Sequence, residues 1–196
     1  MPSLRLLSVN ARTESLDHEA LARRISAASA DVVCVHGAPS LLRWRSISAA
    51  LARRSGLVVV GGGRTGGGNL LLCDLGIDST ATRDVVFAGH RGPRPPGATV
   101  AALARLGSPF VLVGARLSGD GAAQRAQVEQ VRRVVREADP AEPPAVVCVE
   151  GAGPGAAVDL QDGQTATAPG VFVDARITVG QIADGVVELT LPEPSD

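Results

Sequence analysis

Between Asp31 and His36 the chain runs Val-Val-Cys-Val without a polar side chain, and this run restricts the fold more than any other feature. A strand with one face in water alternates apolar and polar residues, so an unbroken apolar run marks a strand covered on both faces. Ala145 to Val149 is a second run of this kind. Such strands need helices or a further sheet above and below them, which points to a layered α/β structure. With 196 residues, 45% of them hydrophobic and 20% charged, the chain has enough apolar material for one core. A single domain over residues 1–191 is expected, with a short tail at 192–196.

The order of elements follows from periodicity. Leu4 to Val9 reads as a first strand that delivers Asn10 at its end, and Asp17 stands where it would cap a helix reaching about Ala30. Strand two is the 31–36 run. A helix from about Ser40 to Ser55 carries Leu41, Trp44, Ile47 and Leu51 at helical spacing, and Gly56 suits a left-handed cap. Leu57 to Val60 and Asn69 to Cys73 are strands joined by the tract Gly61 to Gly68. That tract precedes a strand, whereas a phosphate loop opens a helix, so it reads as a hairpin. Val85 to Phe87, Thr99 to Leu106 and Pro109 to Ala115 continue as a meander, with 92–97 as a loop. Ala122 to Ala138 is an amphipathic helix with Val128, Val131, Val134 and Val135 on one stripe, stopped by Pro140. Ala145 to Val149, Val171 to Val173 and Val186 to Leu191 complete the strands, and 151–169 reads as loop. Two βα stretches flanking hairpins predict an α/β (α+β) fold: a four-layer α/β/β/α sandwich of two packed mixed sheets with outer helices, truncated near the C-terminus.

Composition removes several functions. Lysine is absent, which excludes Schiff-base chemistry and lysine-dependent phosphate loops. Trp44, Phe87, Phe110 and Phe172 are the only aromatic residues and the formal net charge is −1, so strong nucleic-acid binding is not expected, although the nineteen arginines could form a local patch. Cys34, Cys73 and Cys148 lack metal-ligand spacing and read as buried reduced thiols. No stretch has the length of a membrane span and the amino terminus is too short in apolar residues for a signal peptide. The expectation is a cytoplasmic protein without a membrane partner.

Six segments resemble the endonuclease/exonuclease/phosphatase family. Leu6-Leu-Ser-Val-Asn10 is similar to that family's first strand, which ends in tryptophan-asparagine, and Asp31 to Gly37 to the strand ending in glutamine-glutamate. Gly67-Gly-Asn-Leu-Leu-Leu72 resembles its glycine-asparagine strand, and Val111 to Leu117 the strand ending in histidine-leucine. Val146-Val-Cys-Val-Glu-Gly-Ala-Gly153 resembles the glycine-aspartate-x-asparagine strand, and Ala183 to Leu191 the closing serine-aspartate-histidine strand. The resemblance implies a deoxyribonuclease-like fold and a site for metal-dependent phosphoester hydrolysis at the strand ends.

The departures fall on the chemistry. By the resemblance, the metal-binding glutamate is Gly37, the catalytic aspartate Gly151, the phosphate-contacting asparagine Gly153, and the two histidines Arg116 and Gly185. Asn10, Asn69 and Asp184 remain, and Ala168-Pro169 stands in place of arginine-isoleucine-aspartate. Hydrolysis of this type needs carboxylates for a hard cation and a group that activates water, and glycine supplies neither. The expected function is therefore a family domain that has lost hydrolysis and acts as an anion- or partner-binding pseudoenzyme, with no catalytic residue, no metal and no cofactor. Asn10, Asn69, Arg116 and Asp184 form its vestigial or anion-binding cleft, with Arg116 weighed against an ordinary surface ion pair. The alternative is a weakly active, magnesium- or manganese-dependent phosphodiesterase or phosphatase using relocated acids. Glu150 and Asp184 are its leading acids, which would have to converge, and Asp120 and Asp174 are further candidates, although Glu150, one residue before the aligned aspartate, is expected to point out of the site. His36 is expected to be structural, His18 lies near a helix start, and His90 lies in a loop. A protein partner engaged through a loop or sheet edge is the third reading.

Overall fold

The computed structural model describes residues 1–12, 18–38, 43–88, 95–138, 141–152 and 164–193. Asp17, Leu41, His90, Pro140, Gly153 and the tail beyond residue 193 lie outside the described residues. The chain forms β1 (Ser3–Asn10), α1 (His18–Ala28), β2 (Val32–His36), α2 (Trp44–Arg54), β3 (Val58–Gly63), β4 (Asn69–Cys73), β5 (Ile77–Val86), β6 (Gly97–Arg105) and β7 (Ser108–Arg116). These are followed by α3 (Gly121–Ala138), β8 (Ala145–Glu150), β9 (Gln164–Ala168), β10 (Val171–Asp174), β11 (Thr178–Ala183) and β12 (Val186–Thr190).

Two six-stranded mixed sheets result, ordered β11-β12-β1-β2-β4-β3 and β5-β6-β7-β8-β10-β9. Each contains one parallel pair, β1 with β2 and β7 with β8, and in each case a helix makes the crossover. The other pairings are antiparallel. The apolar residues sort into three layers. Leu6, Cys34, Leu71, Phe110, Leu112 and Cys148 meet between the sheets. Leu7, Val9, Val33 and Val35 face Leu21, Ile25 and Leu51 of α1 and α2. Val111, Val113 and Val147 face Val128, Val131 and Val134 of α3. The four-layer α/β/β/α arrangement follows directly, and it explains why β2 and β8 are apolar throughout: each is a central strand with a sheet on one side and a helix on the other.

Four local expectations need correction. Residues 164–168 are not loop but β9, which pairs with β10 across an irregular register. Its sequence, Gln-Thr-Ala-Thr-Ala, is too weakly apolar to show alternation. The strand expected at Val85 to Phe87 is the end of a ten-residue β5, whose mostly exposed edge position permits the polar sequence Asp-Ser-Thr-Ala-Thr-Arg-Asp. β11, unforeseen in sequence, is likewise a mostly exposed edge strand. The second helix begins at Trp44, after Arg43 in a left-handed conformation, rather than four residues earlier. Gly56 does adopt the left-handed conformation expected at a helix end, with φ 72°.

The central strands of the two sheets pack closely beneath one end of the sandwich. A Cβ added to Gly114 of β7 would lie 2.7 Å from Cys34 Sγ of β2 and 3.2 Å from Leu71 Cδ2. Glycine here lets the central strands of the two sheets nearly touch. Gly114→Ala is expected to lower stability by about 1–3 kcal/mol through overpacking. Chemical denaturation checks this, and an unchanged midpoint would show that the sheets separate freely at this point.

Candidate functional site

Strand parity carries polar side chains to one end of the intersheet space. Along β1 the inward positions are Leu4, Leu6, Ser8 and Asn10. Along β2 they are Val32, Cys34 and His36, and along β8 Val146, Cys148 and Glu150. β1 and β2 run parallel with Asn10 opposite His36, and β7 and β8 run parallel with Arg116 opposite Glu150. All four therefore present their carboxyl ends at the same edge, where α/β structures bind ligands. A cavity of about 370 Å³ opens there, and its wall includes Ser8, Asn10, His36, Glu150, Pro169 and Gly170.

The polar groups are locked by mutual hydrogen bonds. Asn69, fully buried, donates through Nδ2 to the carbonyls of Gly66 (2.6 Å) and Gly97 (3.0 Å). Its Oδ1 therefore accepts, and His36 Nδ1 must be the donor across 2.9 Å. That assignment leaves His36 Nε2 as an acceptor, 3.3 Å from Ser8 Oγ and 3.6 Å from Cys34 Sγ. Asn10 is fixed in the same manner: its Oδ1 accepts from the Arg12 amide at 2.9 Å, and its Nδ2 donates to Glu150 Oε1 at 2.7 Å. Glu150 Oε2 is buried and receives no hydrogen bond. Leaving a buried acceptor without a donor costs about 1–3 kcal/mol, and more when it is charged.

Burial lowers the pKa of His36 below its ordinary 6.5, against the opposing pulls of Asn69 and Glu150, so the imidazole is neutral at pH 7. The Cys34 thiol is pushed well up, first by burial and then by the neighbouring Cys148 and by Glu150, and it remains protonated. It is not an activated nucleophile.

The expected site residues meet different fates. Asn10 is in the cavity wall, and Asn69 lies behind it as the group that orients His36. Arg116 is part-buried and donates from Nε to the Gly67 carbonyl at 2.9 Å and from Nη2 to the Pro95 carbonyl at 2.7 Å, which ties together the loops before β4 and β6. Asp184 occupies the exposed β11–β12 turn with φ 53° and is not in the cavity wall. Asp174 pairs with Arg176 at 2.8 Å, at the opposite end of β8 from Glu150. Asp120 caps α3, accepting from the Ala123 amide at 2.9 Å.

Glu150 corrects the sequence reading, whereas His36 is the buried, hydrogen-bonded structural histidine expected. Glu150 points into the cleft, because the inward register of β8 runs through Val146 and Cys148 to residue 150, and Gly151 is the left-handed turn beyond it, with φ 80°. His36 lies two residues beyond the inward Cys34 and lines the cavity. Ser8 was not singled out at all. Counting by two from the cysteines would have found His36 and Glu150, but strands apolar on both faces do not reveal which face is inner.

The position that the resemblance gives to a metal-binding glutamate is closed. Gly37 has φ 68°, and a Cβ there would lie 2.7 Å from Arg12 Cγ. Among the described residues Glu150 is the one carboxylate in the cavity wall, and no group of three His, Cys, Asp or Glu side chains able to hold a metal is present among them. Asn10 Oδ1 and Asn69 Oδ1 are both already engaged. The donor set of the described residues does not fit a resident divalent cation.

No family model matches the chain, and no curated protein does. Solved structures do. An endonuclease/exonuclease/phosphatase from Bacteroides vulgatus superposes with a TM-score of 0.75 at 16% identity, over 98% of this chain and 100% of that one. The chain has the endonuclease/exonuclease/phosphatase fold. The human Nocturnin catalytic domain with bound sulfate aligns over 97% of this chain and 94% of its own, with a TM-score of 0.74 and 13% identity. A mannosyl-6-phosphatase from Bacteroides thetaiotaomicron reaches 0.70 at 12% identity, over 97% of this chain and 100% of its own. Two sheets of the endonuclease/exonuclease/phosphatase fold thus surround a cleft whose described wall residues offer acceptors and no cation.

His36 makes stability depend on pH. Its folded-state pKa lies below 6.5, so the unfolded chain takes up a proton first as pH falls. Its stabilising contribution is complete above about pH 6.5 and is lost as pH drops through the interval down to the lower folded-state value. Denaturant titrations from pH 8 to 5 should show this loss, and His36→Gln should flatten that part of the profile. An identical profile in the variant would show that His36 is not held neutral.

Proposed function

We propose that this protein is a divergent member of the endonuclease/exonuclease/phosphatase family that has lost metal-dependent phosphoester hydrolysis and keeps the cleft as a binding site. The observation that carries this reading is Gly37: the place of the expected glutamate holds a left-handed glycine, and the Arg12 side chain fills the space. Arg116, in the place of a histidine, cannot serve as a general base near neutral pH and spends donors on two backbone carbonyls. His36, the neutral imidazole that remains in the cleft wall, turns its bare nitrogen toward Ser8 and Cys34. Neighbours of the fold include a mannosyl-6-phosphatase and a 2′,3′-cyclic phosphatase, so phosphoesters are the substrates against which the loss is measured.

A second reading, weak hydrolysis through a relocated acid, draws on Glu150 alone. Its Oε2 is buried without a donor, as a metal-binding oxygen would be in the absence of its ion. Asp120, Asp174 and Asp184 give that reading no support, since the first two are engaged away from the cleft and Asp184 stands in the exposed β11–β12 turn.

Purified protein is expected to show no turnover of bis(p-nitrophenyl) phosphate or p-nitrophenyl phosphate with magnesium or manganese, and no heat of manganese binding by calorimetry. Metal-dependent turnover abolished by Glu150→Gln would overturn the loss of hydrolysis and establish the second reading.

A further inference from the structure

The cleft is furnished with acceptors. Among the described residues of the cavity wall, Glu150 is the only formally charged one, with Oε1 held by Asn10 and Oε2 lacking a donor. His36 cannot supply a cation, because burial keeps it neutral, and its Nε2 is a lone-pair acceptor oriented by Asn69. Ser8 Oγ, directed at that nitrogen, retains accepting lone pairs. Arg116 is the cross-strand neighbour of Glu150, but its guanidinium donates to Gly67 and Pro95 and does not line the cavity. Val149, Pro169 and Phe172 contribute apolar residues to the same wall. Among the described wall residues a phosphate would meet a carboxylate with no arginine to offset the repulsion.

We propose that the cavity binds a primary ammonium carried on a small apolar group, with its N–H donors directed at the Glu150 carboxylate and at Ser8. An ammonium brings three donors and a positive charge to a site rich in acceptors, and an apolar body matches the remaining wall. At about 370 Å³ the cavity suits a small molecule. This inference rests on the proposed loss of the metal, because a bound divalent cation would claim the same carboxylate.

The test uses the full chain, with amide resonances followed by NMR while n-butylammonium, 1-butanol and inorganic phosphate are titrated separately. Butylammonium should shift the amides of Asn10, His36, Gly151 and Gly170 saturably, and 1-butanol, of the same shape but uncharged, should not. Glu150→Gln, which keeps the acceptor for Asn10, should weaken butylammonium binding roughly tenfold or more. Equal binding of 1-butanol, stronger binding of phosphate at the same amides, or no saturable shift with butylammonium overturns the ammonium site. Metal-dependent phosphoester turnover would instead overturn the loss of hydrolysis, and this inference with it. A hydrolytically inactive protein that ignores butylammonium removes the ammonium site alone.

Discussion

Face-to-face packing of two central strands is the constraint on which the rest depends. β2 and β8 lie in different sheets, are apolar on both faces, and face one another through Cys34 and Cys148, with Gly114 allowing the close approach. Once those cysteines point inward, the period-two geometry of a strand sends His36 and Glu150 inward as well. The cleft is thus a continuation of the core: the same alternation that buries thiols places an imidazole and a carboxylate one step beyond them. A shift of one residue in either strand would move these groups to the helix side and dismantle both core and cleft together.

The two asparagines act as fixed struts. Asn69 is fully buried and bridges the carbonyls of Gly66, in the loop before β4, and Gly97, at the start of β6, while orienting His36, and Asn10 clamps Glu150 from the end of β1. Arg116 performs a similar service, joining the loops at Gly67 and Pro95. Residues that resemble remnants of phosphoester chemistry are therefore also members of the network that holds the strand ends in place. Their presence is explained by that work without any catalytic role.

Much of the fold was legible because strong signals coincide. The apolar runs at 32–35 and 145–149, the valine stripe of α3 and the glycine tract before β4 each have one natural structural reading. The edges were not legible. β5, β9 and β11 rely on pairing to a neighbour rather than on an apolar face of their own, so their sequences carry little alternation. In the cleft, the sequence marks Asn10 as a strand end but gives no sign of the face to which Glu150 and Ser8 turn. A strand apolar on both sides contains no internal mark of which side meets the other sheet.

The sequence by itself determined the layered architecture and the absence of a carboxylate at position 37, because burial patterns and side-chain chemistry are properties of the residues themselves. Only the tertiary structure decided which polar groups converge. Asn10 and Glu150 are separated by 140 residues, and their 2.7 Å hydrogen bond exists because two sheets bring the ends of β1 and β8 to one edge. The electrostatic character of the cleft follows from that convergence: Glu150 lines it, while Arg116, its cross-strand neighbour, is drawn off to backbone carbonyls.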